Sequence, residues 1–448
     1  MGRLFGTDGI RGVANVHPMT VETAMRVGKA IAQISTREGH RPKILVGRDT
    51  RLSGAMLDAA IVAGVCSMGA DALQVGIMTT PGVAFLTTSM RADAGIVISA
   101  SHNPYEDNGI KIFSRDGFKL DDPMEDAIER LIVDRPGELA GRPGEIGRVF
   151  HIDDACGRYI AFLKRSFPDE YSLEGMKIVL DCANGATYAV APEVFAELGA
   201  EVVTLFHEPD GTNINDLCGS QHPETLASEV VRTRADAGFA FDGDGDRVIA
   251  VDETGTVLTG DHILALCALS MKRRGALKNN LLVTTVMANL GLRVAMQEHG
   301  VETSLTAVGD RSVLDEMTRR GAVIGGEQSG HIIFLEHHTS GDGILSALQV
   351  LRTLKDEGKP LSELGSVMRV FPQRLINVTV SRTPDLDTVP QIRDAISEVE
   401  ALLKDRGRVL VRYSGTQRMC RVMVEGPTEH ETDEYCRRIA KVVEDAIG

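Results

Sequence analysis

The sequence predicts an α/β protein of several domains, on three observations. The chain has 448 residues, more than one hydrophobic core accommodates, so three or four domains are expected. Up to about residue 334, short β-branched apolar runs alternate with helical segments across small polar loops, the pattern of largely parallel sheets. Beyond about residue 372 the order changes to strand, helix, two strands and a last helix, a small α+β unit. Apolar residues make up 43% of the chain, the ordinary share for a folded protein, so disorder is not expected.

The elements follow in order. Thr20 can cap a helix running to about Arg37. Lys43 to Val46 reads as a strand, followed by the polar loop GRDTRLSG and a helix from about Ser53 to Met68. A strand near Leu73 to Val75 leads to TTP at 79–81, which opens another helix. Gly95 to Ser99 is an apolar, β-branched run and reads as a buried strand. Residues 120–150 are charged and rich in Pro and Gly, with a helix around Pro123 to Val133. Met176 to Asp181 is a strand, followed by CANGAT and a helix from near Val190. Gly238 to Phe241 is a short strand running into DGDGDR, and Thr254 to Asp261 is a turn. Leu281 to Val286, a helix after Asn289, TAVGDRSV at 306–313 and VIGGEQSGHIIF at 323–334 form a third unit. Residues 355–372 read as a linker. In the tail, a strand near Ile376 to Val380 precedes a helix from about Val389 to Lys404. Strands at Val409 to Arg412 and Arg421 to Val424 follow, with a last helix from about Glu429. The domains are placed at 1–152, 153–252, 253–367 and 368–448.

Composition narrows the function. A formal net charge of -15 argues against a nucleic-acid or anionic-membrane partner. A phosphorylated substrate stays open, because local Arg and Lys clusters can bind it within an acidic protein. The seven Cys form no CxxC pair and their number is odd, which fits a reduced, cytoplasmic protein without a disulfide framework. The N-terminus has no apolar signal region and fails the myristoylation pattern. No apolar run approaches membrane length.

Four stretches carry chemistry. The first is GIVISASHNPYEDNGIKIF at 95–113. A buried strand that opens into Ser and Asn presents a hydroxyl at the sheet edge, where α/β proteins bind ligands. Ser101 is the candidate nucleophile. His102 and Lys111 are candidates for activating it or holding phosphate. The bland alternative is a Ser/Asn-rich turn stopped by Pro104.

The second is DGDGDR, with carboxylates at Asp242, Asp244 and Asp246. In an extended segment the side-chain period is two, so all three face one side. Three hard oxygen ligands suit Mg²⁺, and without a cation their repulsion is costly. A calcium loop competes, since Glu253 sits at position 12 counting from Asp242. Arg247 occupies position 6, where that loop needs Gly, and the flanks read as strands. Arg247 lies beside the metal and suits a phosphate oxygen.

The third is GEQSGH at 326–331. Glu327 and Ser329 supply a carboxylate and a hydroxyl of the kind that grips sugar hydroxyls, and His331 can exchange a proton. A polar β-turn is the bland alternative. The fourth is Arg412-Tyr-Ser414-Gly415-Thr416 with Arg421 beyond. Backbone N–H groups near Gly415 and the two guanidinium groups can cradle a phosphate dianion. Its bland alternative is an ordinary basic surface turn.

Together, in this order along the chain, the four stretches resemble the α-D-phosphohexomutase superfamily over nearly the whole length. The opening GTDGIRG at 6–12 and Gln328 look most like the branch that acts on glucosamine phosphates. The resemblance implies four domains around a central cleft: three mixed α/β domains and a smaller α+β C-terminal domain. It implies phosphorylation of Ser101, and one Mg²⁺ held by Asp242, Asp244, Asp246 and the phosphoserine oxygen. Lys111 and Arg11 would add positive charge near Ser101. Glucosamine 6-phosphate and glucosamine 1-phosphate would interconvert through a bisphosphorylated sugar, feeding cell-wall precursor synthesis. The general base stays open between His331, Lys111 and His102. Closure of the C-terminal domain would exclude water. No nucleic-acid or membrane partner is implied, and a homodimer is the candidate assembly.

The sequence also departs from the family pattern. Gln417 and Arg418 stand where Glu-Pro is usual, Tyr413 replaces a common Pro, and Asp310 stands where some members carry His. Three rivals remain. A phosphatase could use an Asp of DGDGDR as nucleophile and would not need Ser101. A non-catalytic phosphosugar sensor would not need three Asp beside a serine loop. A phosphomannomutase or phosphoglucomutase would share the mechanism and differ around 326–331.

Overall fold

The computed structural model describes residues 4–6, 8–413 and 418–448. It divides into two compact units, Met1–Val286 with Glu302–Ser366, and Met287–Val301 with Val367–Gly448.

The first unit holds three sheets. The first contains β1 (Ile10–Val13), β2 (Lys43–Arg48), β3 (Asp71–Ile77), β4 (Ala94–Ile98), β5 (Asp107–Ser114) and β6 (Val149–His151), in the order β1-β5-β4-β2-β3-β6. β2, β3, β4 and β6 pair in parallel. β5 and β1 add an antiparallel edge, so this sheet is mixed rather than largely parallel. β5 is not legible in the sequence because Pro104 and the polar residues after it continue the look of a loop. Lys111 also interrupts the apolar alternation of the strand.

Alternation along each strand serves two helical layers. Ile44, Val46, Ile96 and Ile98 pack under Val27, Ile31, Leu57 and Ile61 of the helices Val21–Ser35 and Gly54–Ser67. Those helices touch through glycine. A Cβ at Gly28 would lie 2.3 Å from the Ile61 carbonyl oxygen, and one at Gly64 2.2 Å from that of Met25. On the other face, Gly47 and Gly95 admit Val83 of the helix Thr80–Ser89. Thr20 and Thr79 cap their helices with side-chain oxygens, each worth about 1 kcal/mol.

The second sheet runs β11-β10-β9-β7-β8, from β7 (Lys177–Asp181), β8 (Glu201–Leu205), β9 (Ala237–Phe241), β10 (Val248–Asp252) and β11 (Val257–Leu258). β9 and β10 form an antiparallel hairpin with Phe241 opposite Val248. Both strands are wholly buried. The third sheet runs β13-β12-β14-β15, from β12 (Leu281–Thr285), β13 (Glu302–Thr306), β14 (Ile324–Gly326) and β15 (Ile332–Phe334).

Residues 355–372 are not a plain linker. The helix Gly343–Glu357 reaches into them, and Leu361–Gly365 forms a short helix that buries Leu361 and Leu364. The helix Gly260–Arg273, absent from the sequence reading, is buried on nearly every side. It therefore shows no amphipathic stripe to read.

The second unit contains a three-stranded antiparallel sheet, order β16-β18-β17, of β16 (Gln373–Thr379), β17 (Arg408–Tyr413) and β18 (Met419–Glu425). The helices Pro390–Leu403 and Glu429–Ile447 pack on it through Ile392, Val399, Ile439 and Val443. Among the described residues no helix is long and apolar enough to cross a membrane, and all seven cysteines are free.

Candidate active site

The loop after β4 carries Ser101, which is 1% exposed and has a left-handed φ of 55°. Its N–H donates to Ser99 Oγ at 2.9 Å. Its Oγ lies 2.6 Å from Asp242 Oδ2 and 3.3 Å from His102 Nδ1. Burial first, then the cations Arg247 and Arg11, lower the His102 imidazole to about 4. The ring is therefore neutral at pH 7, with its basicity reduced.

Asp242, Asp244 and Asp246 sit in the turn between β9 and β10. They converge there because the backbone curls, not because an extended segment alternates. Gly245 supplies the curl at φ +70°, where a Cβ would meet Thr187 Cγ2 at 2.6 Å and Thr79 Cγ2 at 2.9 Å. The turn is held on several sides. The N–H of Thr80 donates to the Asp244 carbonyl oxygen, that of Ala186 to Gly243 O and that of Gly343 to Gly245 O. The flanks are strands rather than helices, and Glu253 accepts hydrogen bonds from Ser362, which removes the calcium-loop reading.

The three carboxylates offer ligand atoms within 4.8 Å of one another, all buried. Burial and then the negative charges of Asp246 and Asp244 push Asp242 well above the usual carboxylate range. Burial acts in the same direction on Asp244. There the Lys111 ammonium at 2.8 Å and the Thr80 hydroxyl at 2.6 Å outweigh it and hold the group low. Asp244 Oδ1 and Asp246 Oδ1 are buried without a hydrogen-bond partner. Two orphaned anionic oxygens beside a raised third carboxyl form a donor set that suits a hard divalent cation.

Lys111, on β5, is 2% exposed. Burial works against its charge. Asp244, Asp8 at 3.3 Å and Asp246 at 3.5 Å outweigh burial and hold it as an ammonium. It is a charge-holding group here and not an open base. Arg11 pairs with Asp8. Asp8 also meets Lys119 at 2.5 Å, and Lys119 pairs with Asp310.

Glu327, Ser329 and His331 occupy the tight turn between β14 and β15, which is stitched to the β9–β10 turn. Val248 N–H donates to Gly330 O at 3.1 Å, and Arg247 and His331 form a backbone bridge. Glu327 Oε1 accepts from Gly309 N–H at 3.1 Å. Ser329 Oγ and both ring nitrogens of His331 are buried without hydrogen-bond partners, and His331 Nε2 lies 3.7 Å from Asp310 Oδ2. Burial opposes the Arg247 charge, but Asp246, Asp242 and Glu327 raise it. Its Nε is left without a hydrogen bond. The structure thus brings Ser101, His102, Lys111, the three Asp, Arg247, Glu327, Ser329 and His331 into two neighbouring clusters.

In the second unit, Arg412 on β17 stands directly opposite Arg421 on β18. Burial and the Arg421 charge both lower Arg412, and Arg421 Nε has no hydrogen-bond partner. Like charges directly opposite on a sheet are unfavourable unless an anion lies between them. Ser414, Gly415 and Thr416 lie outside the described residues.

Asp8, Thr80 and Lys119 belong to the first cluster and were missed in the sequence. TTP at 79–81 reads only as a helix opener, and no local pattern marks Asp8 or Lys119.

Four family models match, described as phosphoglucomutase/phosphomannomutase domains. Domain I covers 2–136, domain II 157–255, domain III 259–371 and the C-terminal domain 375–442. The chain is 62% identical over 449 residues to a phosphoglucosamine mutase of Syntrophus aciditrophicus, covering 100% of both chains. It is 58% identical over 451 residues to that of Syntrophobacter fumaroxidans, again covering 100% of both. Among solved structures, a phosphoglucomutase/phosphomannomutase family protein from Burkholderia thailandensis superposes with a TM-score of 0.81 at 24% identity, over 99% of this chain and 97% of that one. An Aspergillus fumigatus N-acetylphosphoglucosamine mutase, solved with GlcNAc-6P and magnesium, superposes with a TM-score of 0.68 at 18% identity, over 99% and 96%. These two likenesses speak to the fold. The chain belongs to the phosphoglucomutase/phosphomannomutase family and, within it, to the phosphoglucosamine mutases, isomerases that interconvert glucosamine 6-phosphate and glucosamine 1-phosphate.

Proposed function

We propose that Ser101 is the phosphoryl carrier of this mutase. The observation that carries the reading is the 2.6 Å approach of Ser101 Oγ to Asp242 within the buried three-carboxylate cluster. A phosphoserine there would need cationic partners, and the site supplies both cations and a metal donor set.

The resting enzyme carries a phosphoryl group on Ser101. Asp242, Asp244, Asp246 and a phosphoserine oxygen would hold one Mg²⁺. When bound, that ion neutralises charge on the transferring group, as phosphoryl transfer requires. Arg247, whose Nε lies 3.7 Å from Asp246 Oδ1 and makes no hydrogen bond, holds a phosphate oxygen, and Lys111 and Arg11 add positive potential. Glu327 and Ser329 grip the sugar, the Ser329 hydroxyl being without a protein partner.

The 1-hydroxyl of glucosamine 6-phosphate attacks the phosphoserine phosphorus. The P–O bond to Ser101 breaks, and the hydroxyl proton passes to an imidazole, His102 or His331. The product of this half is the 1,6-bisphosphate. It turns over in the site, and Ser101 Oγ, left as the alkoxide by the first half, attacks the 6-phosphate while the protonated imidazole returns its proton to the departing 6-oxygen. That restores the phosphoserine and releases glucosamine 1-phosphate. The Arg412–Arg421 pair offers two guanidinium groups suited to a phosphate dianion.

The test is phosphorus NMR of the protein with Mg²⁺ and a trace of glucosamine 1,6-bisphosphate. Glucosamine 6-phosphate and glucose 6-phosphate go in separate tubes. Faster 1-phosphate formation from glucosamine, abolished by Ser101→Ala, is the expected result. Faster conversion of glucose would overturn the substrate. Activity surviving in Ser101→Ala would overturn the carrier.

A further inference from the structure

Ser101 is held at both ends of its peptide, besides the contacts of its hydroxyl with Asp242 and His102. The N–H donates to Ser99 Oγ, which itself donates to Asp49 Oδ2 at 2.6 Å. The carbonyl oxygen receives two donors, Arg51 Nη2 and Asn215 Nδ2, each at 2.9 Å.

Arg51 is fully buried, with all five of its N–H donors used. Nε meets Asp49 Oδ2 at 2.8 Å. Nη2 meets the carbonyl oxygens of Ser101 and Asn103, the latter at 2.8 Å. Nη1 meets those of Pro104 and Asp107, the latter at 3.0 Å. A planar fork with five donors fits this set of acceptors, and an ammonium with three does not. Four of the five partners are main-chain oxygens between Ser101 and Asp107, at the start of β5.

Asn215 reaches the same loop from the domain that carries the three Asp. Its Nδ2 spans the carbonyl oxygens of Ser101 and Asn103, the latter at 3.1 Å. Next to it, Gly243 lies so close to the loop that a Cβ there would be 2.6 Å from Ser101 O and 2.8 Å from Asn215 Nδ2. The left-handed conformation of Ser101, unfavourable for a residue with a Cβ, is therefore fixed from both domains.

We propose that Arg51 and Asn215 are positioning residues. Arg51 folds the serine loop, and Asn215 registers it against the carboxylate turn, so that one oxygen meets both ends of the sugar in the same place. This rests on the reading of Ser101 as the phosphoryl carrier.

The experiment measures kcat and KM for glucosamine 6-phosphate in Asn215→Ala, Asn215→Asp and Arg51→Lys, with folding checked by circular dichroism and Ser101→Ala alongside. Asn215→Ala keeps every Arg51 contact, so it stays informative if Arg51→Lys fails to fold. Misplacement by about 1 Å costs on the order of a hundredfold in rate. The expected result for Asn215→Ala is a kcat lower by tenfold to about a hundredfold, with KM within about threefold, because sugar and phosphate contacts are untouched. Asn215→Asp, the same size with an acceptor facing two carbonyls, should lose at least as much. A kcat for Asn215→Ala within about threefold of the parent, or a loss that falls wholly in KM, would overturn the proposal. Activity surviving in Ser101→Ala would instead overturn the carrier reading on which it stands.

Discussion

Replacing Lys111 by Met removes an ammonium and keeps an apolar stem of similar length. Lys111 Nζ lies 2.8 Å from Asp244, 3.3 Å from Asp8 and 3.5 Å from Asp246. At an effective dielectric constant near 20, the nearest pair alone attracts by about 6 kcal/mol before desolvation is counted. Breaking a buried pair by removing one partner costs about 3–5 kcal/mol, because the other charge is left uncompensated. That loss is expected in full when metal is removed by EDTA. Mg²⁺ held by the same carboxylates would place two positive charges there, so with saturating Mg²⁺ the loss should shrink by about half, roughly 2 kcal/mol. By linkage that difference equals tighter Mg²⁺ binding, about thirtyfold in Kd. The chain has no Trp, so urea unfolding is followed by circular dichroism with EDTA and with Mg²⁺, and Mg²⁺ affinity by calorimetry. A Lys111→Met protein as stable as the parent in EDTA would show that the ammonium does not stabilise the carboxylates. An equal loss with and without Mg²⁺ would show that the ion does not compensate for it.

Three further outcomes follow from the same geometry. Asp242 is raised by burial and by its two acidic neighbours, so the metal-free fold holds a proton there that the unfolded chain has already lost. Metal-free stability should fall as pH climbs from the usual carboxylate range to the raised value. Over the same span Mg²⁺ affinity should rise, with proton release seen by calorimetry in buffers of different ionisation enthalpy. Gly245→Ala, at φ +70° and 2.6 Å from Thr187 Cγ2, should cost about 1–3 kcal/mol in urea unfolding and weaken Mg²⁺ binding; unchanged Mg²⁺ affinity would count against the turn as the metal holder. Arg421→Ala should raise KM at least about tenfold with a smaller change in kcat, as loss of a charged hydrogen bond to bound phosphate does; an unchanged KM would remove the pair from the substrate site.

Much of the fold was legible because the parallel strands are continuous apolar runs ending in small polar loops. Ala94–Ile98 is buried throughout and reads as such. β5 was hidden because its buried lysine breaks the apolar pattern, and that lysine is there for charge, not packing. The fully buried helix Gly260–Arg273 was hidden for the opposite reason, since nothing polar alternates along one face. At the site, Ser101 and the three Asp were visible because each belongs to a compact local pattern. Their convergence had a different cause from the one inferred, a glycine turn in place of an extended register. Asp8, Thr80, Lys119 and Asn215 are ordinary residues in ordinary contexts. Only the folded chain brings them to the serine loop and the carboxylate turn, from segments more than a hundred residues apart.

Every step of the proposed mechanism passes through a phosphoryl group on Ser101. The most direct measurement is a single-turnover, rapid-quench experiment on protein first labelled by phosphorus-32 glucosamine 1,6-bisphosphate and then mixed with unlabelled glucosamine 6-phosphate. Peptide mapping follows the label on the segment containing Ser101. Label should leave this peptide at least as fast as product forms, passing to the bisphosphate first and to monophosphate later. Label that stays on Ser101 while glucosamine 1-phosphate accumulates, or that is found on another residue, would contradict the mechanism.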